Sequence, residues 1–154
     1  MLTGFKNKRI LITGAGSGLG RSHVVLMAKR GADIIVHDIN RDSATETAKV
    51  IRKLGQEATL LISNIRETNN FVREIQEVGH VDVLVNNAGV GGLGRKIEDI
   101  NPEIFDEMFD VHVAHHHLYV WSDRELIPKK EVVQYKNSIY HFQNKIVSYH
   151  ILLV

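Results

Sequence analysis

Four glycines follow a short apolar run near the start of the chain. Residues 10–12 are Ile-Leu-Ile, Thr13 comes next, and glycine then occupies every second position: Gly14, Gly16, Gly18 and Gly20. Glycine allows positive φ and lets a ligand approach the backbone without meeting a Cβ. Residues 21–30 have a helical pattern, and the free N–H groups at a helix N-terminus favour an anion such as a pyrophosphate. The stretch predicts a strand, a phosphate-binding turn and a helix, with a ligand-free turn as the alternative.

The glycine spacing differs from the strict dinucleotide fingerprint, which would require its third glycine at Leu19. A second feature of the sequence indicates which kind of phosphate ligand the turn would bind. Residues 33–38 read as an apolar strand that ends in a carboxylate, and Asp38 lies eighteen positions after Gly20. Dinucleotide folds present an acid to the adenine ribose at about this distance, where it accepts hydrogen bonds from the ribose hydroxyls and would repel a 2′-phosphate. The alternative is that Asp38 caps the next helix, a role for which Asn40 and Asp42 compete.

Further strands and helices alternate after Asp38. The pattern predicts helices at 41–54 and 66–78 and strands at 57–62 and 81–85. Such alternation is typical of right-handed βαβ crossovers and a parallel sheet, the α/β class. Asn64 and the run 86–89 follow strands, as the glycine turn and Asp38 do. Ligands of such sheets bind at the carboxyl ends of strands, so these segments are expected to form one site.

Composition excludes several other classes. A chain of 154 residues can bury about 70 % of its unfolded surface as one domain. A net charge of +1 gives no reason to expect nucleic acid or an acidic membrane as a partner. The absence of cysteine excludes disulfides and cysteine-type zinc sites. No apolar run has the length of a signal peptide core or a membrane span, so a cytoplasmic location is expected.

With these motifs in place, residues 5–113 resemble the short-chain dehydrogenase/reductase family. The likeness rests on the glycine motif 13–20, on Asp38 and on the run Asn86-Asn87-Ala88-Gly89. It implies a Rossmann-like, doubly wound parallel sheet that binds a nicotinamide cofactor. It also implies hydride transfer between that cofactor and an alcohol or carbonyl compound, including a 3-oxoacyl substrate.

The resemblance also implies the cofactor contacts. Asp38 would bind the adenosine ribose and favour NAD over NADP, because neither Ser17 nor Ile39 is basic. Asn64 and Ile65 would border the adenine. The pyrophosphate would be held by Gly14, Ser17, Gly18, Leu19 and Gly20, and the cofactor cleft would be lined by Asn87, Ala88 and Gly89.

The catalytic residues of the family are not found in this sequence. The family uses a Ser, a Tyr-x-x-x-Lys pair and an Asn on the preceding helix, the Tyr exchanging the hydroxyl proton. The positions four residues after the four tyrosines are Asp123, Ile139, Asn144 and Leu153. His112 stands where the helix Asn is expected. We therefore predict a truncated member without catalytic residues; the alternatives are a catalytically inactive dinucleotide-binding module and a non-functional fragment.

The pattern changes after residue 113. Gly94 is the last glycine, so the sequence predicts a cofactor domain at 1–113 and a divergent tail at 114–154, which a frameshift or an alternative exon would explain. The sheet would then be incomplete on its C-terminal side, and strand 81–85 would form an exposed edge that favours self-association unless the tail pairs with it.

Two further features near the boundary suggest local roles. His112, His115 and His116 have helical spacing, but no carboxylate or cysteine completes a metal site there, so no metal is predicted. A helix is expected to begin at Pro102 with Asn101 as its N-cap. Its apolar residues would form core or subunit contacts; they are Ile104, Phe105, Met108 and Phe109.

Overall fold

Strands and helices alternate through the first part of the fold. The computed structural model describes residues 4–90, 96–114, 133–134, 138–142 and 145–153. Its first seven elements are β1 (Arg9–Ile12), α1 (Gly18–Ala28), β2 (Asp33–Asp38), α2 (Arg41–Lys53), β3 (Ala58–Ile62), α3 (Thr68–Val78) and β4 (Val83–Asn86). They are followed by a 3₁₀ turn (Ile97–Asp99), α4 (Pro102–Phe109), a π-helical turn (Asp110–Ala114), β5 (Val133–Gln134), β6 (Ser138–Phe142) and β7 (Lys145–Leu153).

The first four strands form a parallel sheet in the order β3-β2-β1-β4. Ile10 of β1 pairs with Ile34 of β2 on one side and with Val83 of β4 on the other. The order 3-2-1 followed by 4 places the reversal of strand order between β1 and β4, which is where such folds bind ligands. The predicted α/β, Rossmann-like parallel sheet is confirmed.

Helix α1 begins earlier than its apolar pattern predicted. It starts at Gly18 with Ser17 as its N-cap, so the last two glycines of the motif, Gly18 and Gly20, lie in the first turn of the helix. Helix α3 begins later than predicted, at Thr68, because Asn64 Oδ1 accepts a hydrogen bond from the Arg66 N–H and holds the preceding residues in a turn.

Strand β7 covers the outer edge of β4. It runs antiparallel to β4, with Val83 opposite Leu153 and Asn86 opposite His150, and it pairs with β5 and β6 as well. The tail therefore pairs with the strand that would otherwise form an unprotected edge, and the sheet becomes mixed on this side.

The parallel strands β1 to β4 carry a core cluster on each face of the sheet. Alternate residues of β1 point to opposite sides, so Leu11 belongs to a different cluster from Ile10 and Ile12. One face packs beneath α1 and α2, and its buried residues include Val24, Ala28, Ala44, Ala48 and Ile51. The other packs beneath α3, and its buried residues include Ile35, Leu61, Phe71, Ile75 and Val111. This two-sided core gives a rigid base for the strand ends.

Asp82 joins the amino ends of β1 and β4, at the edge opposite the glycine turn. Its carboxylate accepts hydrogen bonds of 2.8 Å from both Lys8 Nζ and the Arg9 N–H. Burial acts to raise the pKa of Asp82, but the hydrogen bonds from Lys8, Arg9 and His80 together outweigh it and leave the pKa below its usual value. The ionised carboxylate therefore stabilises this end of the sheet.

Helix α4 begins as predicted. Asn101 Oδ1 accepts a 2.9 Å hydrogen bond from the Ile104 N–H, and Pro102 occupies the first turn. Phe105 and Phe109 are 59 % and 49 % exposed, and their rings stack at 6.3 Å. Neither ring belongs to the two core clusters on the faces of the sheet.

Candidate functional site

The turns that follow β1 and β4 are joined by side-chain hydrogen bonds. Thr13 Oγ1 accepts from the Asn87 N–H at 3.0 Å and from the Ala88 N–H at 2.9 Å. Asn87 Nδ2 donates in return to the Thr13 carbonyl at 2.9 Å and to the Gly14 carbonyl at 3.3 Å. Asn86, at the end of β4, is buried. These bonds bring the predicted Asn87 and Ala88 directly against the glycine turn.

Glycine is required at two positions of this turn for different reasons. Gly14 has a φ of +65°, a conformation that side chains disfavour. At Gly20 a Cβ would collide with the Gly14 carbonyl oxygen and lie 2.6 Å from Asn87 Nδ2. The start of α1 thus packs against both strand-end turns, which only a residue without a side chain permits.

The other side of the turn is open. Ser17, Gly18 and Leu19 are exposed, and a Cβ built on Gly18, whose φ is +52°, would have no atom within 4 Å. The Ser17 side chain makes no capping hydrogen bond. The first N–H groups of a helix have no acceptor within it, so this turn offers backbone donors beside free space.

Asp38 lies beside the same turn. Its Oδ2 accepts a 2.8 Å hydrogen bond from the Gly16 N–H, and its Oδ1 accepts one of 2.9 Å from the Asn40 N–H. The cap of α2 is Asn40, whose Oδ1 accepts from the Ser43 N–H at 3.0 Å. The carboxylate of Asp38 is therefore oriented by two backbone donors and keeps lone pairs for a further ligand.

Asn64 and Ile65, predicted to border the adenine, follow β3. Asn64 is half-buried and bonds the Arg66 N–H at 3.1 Å. Ile65 is 6 % exposed and belongs to the core cluster around Phe71. Their contact with a ligand stays a prediction.

His112 contacts the turn after β4, which the sequence did not predict. Its Nε2 lies 2.8 Å from the Val90 carbonyl oxygen, and a Cβ on Gly89 would come within 2.6 Å of its Cε1. Because a carbonyl can only accept, Nε2 carries the proton of this bond. The imidazole projects from a π-helical turn, an arrangement frequent at functional sites.

Within the part of the chain that the structure describes, no three His, Cys, Asp or Glu side chains come together as a metal site; His115 and His116 lie outside the described residues. None of the described helices has the length and apolar character needed to cross a membrane.

The sequence matches a known protein family and is similar to individual oxidoreductases and dehydrogenases. The model of the short chain dehydrogenase family matches residues 8–122. An uncharacterized oxidoreductase of Thermotoga maritima is 37 % identical over 111 residues, which are 71 % of this chain and 44 % of that protein. Estradiol 17-beta-dehydrogenase 11 of Rattus norvegicus is 36 % identical over 123 residues, 77 % of this chain and 40 % of its own. The matched segment thus spans less than half the length of these relatives.

Solved structures give a similar result. Carveol dehydrogenase from Mycobacterium avium in complex with NAD aligns with a TM-score of 0.69 and 29 % identity, over 80 % of this chain and 51 % of the other. A short chain dehydrogenase from Mycobacterium paratuberculosis bound to NAD aligns with a TM-score of 0.70 and 27 % identity, over 77 % and 49 %. Both similar structures contain a nicotinamide dinucleotide.

Proposed function

The chain belongs to the short-chain dehydrogenase family, and from this premise we propose that its glycine turn, Asp38 and the turn at 87–89 bind NAD. One observation carries the proposal. Three separate strand ends meet through hydrogen bonds of 2.8 to 3.3 Å, with Gly16 bound to Asp38 and Thr13 bound to Asn87. The reversal of strand order between β1 and β4, which is where such folds bind ligands, lies at this junction.

The residues present fit a dinucleotide. The exposed N–H groups at the start of α1 would hold the pyrophosphate, where the helix dipole favours negative charge. Asp38 would accept hydrogen bonds from the adenine ribose, with Asn64 and Ile65 nearby. Asn87, Ala88 and Gly89 would line the cleft beyond. The open space beside Gly18 leaves room for a ligand to reach the backbone.

Asp38 also supports NAD over NADP. Its carboxylate is fixed toward the turn by Gly16 and Asn40, so a 2′-phosphate would meet a like charge at close range. Neither Ser17 nor Ile39, which is 68 % exposed, offers a positive charge to offset that repulsion.

A bound nicotinamide supplies a hydride acceptor or donor. The role we propose for this chain's own residues is to bind and orient that cofactor, because no tyrosine in the sequence is followed four positions later by lysine. For the whole protein we propose hydride transfer between NAD and an alcohol or carbonyl substrate. The second candidate is a dinucleotide-binding module without catalysis, which the absence of the tyrosine–lysine pair favours.

Two further proposals concern the location of the protein in the cell and its association with other copies of itself. We propose a cytoplasmic location, since the sequence contains no cysteine and secreted proteins commonly use disulfides. We also propose that copies associate through α4, because Phe105 and Phe109 are exposed and stacked. Sedimentation of the wild type and of a Phe105→Ser, Phe109→Ser variant tests the second point: association lost in the variant supports it, and a monomeric wild type contradicts it.

The binding proposal is tested by titrating the purified chain with NADH and following its fluorescence. We expect saturable binding, and binding of NADPH at least about tenfold weaker. Asp38→Ala should weaken NADH binding and reduce the preference over NADPH. The control is Asp42→Ala, which removes an exposed carboxylate from the first turn of α2 and should change neither.

The ratio of the dissociation constants for NADH and NADPH is needed because Asp38 also accepts hydrogen bonds from the Gly16 and Asn40 N–H groups. A general loosening of the turn would weaken the binding of both cofactors by the same factor. Loss of ribose recognition would instead change the ratio of their dissociation constants. A folded wild type that binds neither cofactor would overturn the proposal. Turnover of NAD with secondary alcohols then separates the two functions: binding with turnover supports hydride transfer, and binding without it supports the non-catalytic module.

A further inference from the structure

A threonine and an arginine connect helix α2 to the glycine turn. Thr47 is completely buried in α2, and its Oγ1 lies 3.3 Å from the Gly16 carbonyl and 3.0 Å from the Ser43 carbonyl. Arg21 of α1 donates from Nε to Thr47 Oγ1 at 2.8 Å and from Nη2 to the Ser43 carbonyl at 3.0 Å. The two side chains join both helices to the turn.

The direction of the hydroxyl proton follows from these contacts. A threonine hydroxyl has one proton to donate and lone pairs that accept. Arg21 occupies a lone pair, so the hydroxyl proton is shared between the carbonyls of Gly16 and Ser43. The arginine therefore makes the threonine a donor to these two carbonyls, of which the Gly16 carbonyl belongs to the turn.

Holding the Gly16 carbonyl also orients the next N–H group. The peptide unit is planar and trans, so the carbonyl of residue 16 and the N–H of residue 17 point in opposite directions. With Gly16 O directed at α2, the Ser17 N–H points away from α2. The Gly16 N–H is already bound to Asp38, and the Ala15 N–H donates to the His37 carbonyl at 2.8 Å. Both of these groups face β2 and its carboxyl end.

Thr47 differs from its neighbours on the buried face of α2. That face is otherwise apolar, with Ala44, Ala48 and Ile51 completely buried. An apolar residue would fill such a position without needing partners. The bond to Ser43 is the ordinary back-bond of a helical threonine, and Thr45 makes the same kind of bond to the Arg41 carbonyl at 2.7 Å. Only Thr47 has the added contacts with Gly16 and Arg21.

We propose that Thr47 and Arg21 are positioning residues for the cofactor turn. They hold the Gly16 carbonyl on the α2 side, so that the amides from Ser17 onward face the pyrophosphate. The inference rests on the proposed function, since it assigns to these residues the orientation of the proposed NAD site. Neither side chain needs to touch the cofactor.

The test compares Thr47→Val, which keeps the shape and loses the hydroxyl, with Thr47→Ser, which keeps the hydroxyl. We expect Thr47→Val to weaken NADH binding by about five- to tenfold, and Thr47→Ser to stay within about twofold of the wild type. Thr45→Val removes a back-bond from the same helix without reaching the turn, and should leave NADH binding unchanged. Arg21→Met should resemble Thr47→Val, and the double variant should lose less than the sum of the two because they share one network.

Amide hydrogen exchange gives a readout that does not need the cofactor. The Gly16 amide should exchange faster in Thr47→Val than in the wild type and in Thr47→Ser. If the wild type binds NADH and Thr47→Val binds it equally well, the positioning role is wrong while the proposed function stands. If the wild type does not bind NADH, the proposed function fails, and unchanged exchange at Gly16 would overturn the positioning role separately.

Discussion

The contact between Gly89 and His112 leads to a prediction that can be worked out from distances. In the sequence Gly89→Ala is a small change at an exposed position, and Gly89 does not have a positive φ. Its new Cβ would nevertheless stand 2.6 Å from His112 Cε1, where ordinary contacts begin at 3.4 Å. The ring would have to retreat by the difference, 0.8 Å.

That retreat has a definite cost. His112 Nε2 is 2.8 Å from the Val90 carbonyl, and a shift of this size takes the pair beyond hydrogen-bond range. Losing one such bond reduces stability by about 0.5–1.5 kcal/mol. Without the imidazole there is nothing to displace, and replacing glycine by alanine then raises stability by up to about 1 kcal/mol through the unfolded chain. The same gain is present in the wild type, where loss of the hydrogen bond opposes it, so Gly89→Ala should be less favourable in the wild type than in the His112→Ala variant.

Urea unfolding of the wild type, both single variants and the double variant measures the difference. We expect a coupling free energy of about 0.5–1.5 kcal/mol between the two positions, the value of the lost hydrogen bond, because the gain through the unfolded chain is the same in both backgrounds and cancels. The change in melting temperature caused by Gly89→Ala should be lower in the wild-type background than in the His112→Ala background, by about 2–4 °C for each kcal/mol of coupling in a chain of this size. An equal effect of Gly89→Ala in both backgrounds would refute the contact and, with it, the role of His112 in holding the turn after β4.

Three other predictions concern stability. Phe71→Ala should destabilise the fold by about 3–5 kcal/mol in chemical unfolding, because Phe71 is completely buried and packs edge-on against His37 at 4.7 Å; a loss under about 1 kcal/mol would contradict this packing. Asn101→Ala should cost about 1 kcal/mol through loss of the α4 cap, and no change would mean that α4 is not held by that cap. Asp82→Asn should be less stable than the wild type at neutral pH while NADH binding is unchanged. Folding lowers the pKa of Asp82, so its carboxylate contributes to the free energy of unfolding in full above its unfolded-state pKa of about 4. This contribution is lost as the pH falls further, so the stabilities of the two proteins should converge in acid. A difference in stability that does not change with pH would contradict this.

The order of strands and helices could be predicted because each element has a strong local signal. Residues 10–12 and 34–36 are uninterrupted apolar runs, as fully buried parallel strands require. The buried positions of α2 recur at helical spacing. Boundaries were less certain: α1 begins inside the glycine turn, where a helical pattern is hard to read because glycine has no side chain to reveal a face.

The cofactor turn was predicted more fully than the residues that support it. Asp38 could be predicted because it ends the second strand at the distance from the glycine turn that dinucleotide folds use, but the sequence alone could not choose between Asp38 and Asn40 as the α2 cap. That choice depends on which side-chain oxygen reaches the Ser43 N–H. Thr47 falls on the inward face of α2 like an ordinary core residue, and its hydrogen-bond partners lie on other elements.

No sequence pattern indicated the contacts between residues that lie far apart in the chain. His112 and Val90 are 22 positions apart and meet only because the π-helical turn passes beside the end of β4. The pairing of β7 with β4 was open for a similar reason. Strand pairing uses backbone groups that every residue has, so the sequence indicates that a segment can form a strand without naming its neighbour.

The central claim is that the carboxyl edge of the sheet binds NAD, and mapping backbone amide resonances during an NADH titration tests it most directly. We predict that the amides of 14–20, 38–40 and 87–90 shift together and saturably, while those around Arg9 and Asp82, at the opposite edge, stay in place. Shifts confined to that opposite edge, or no shifts in a folded sample, would contradict the claim.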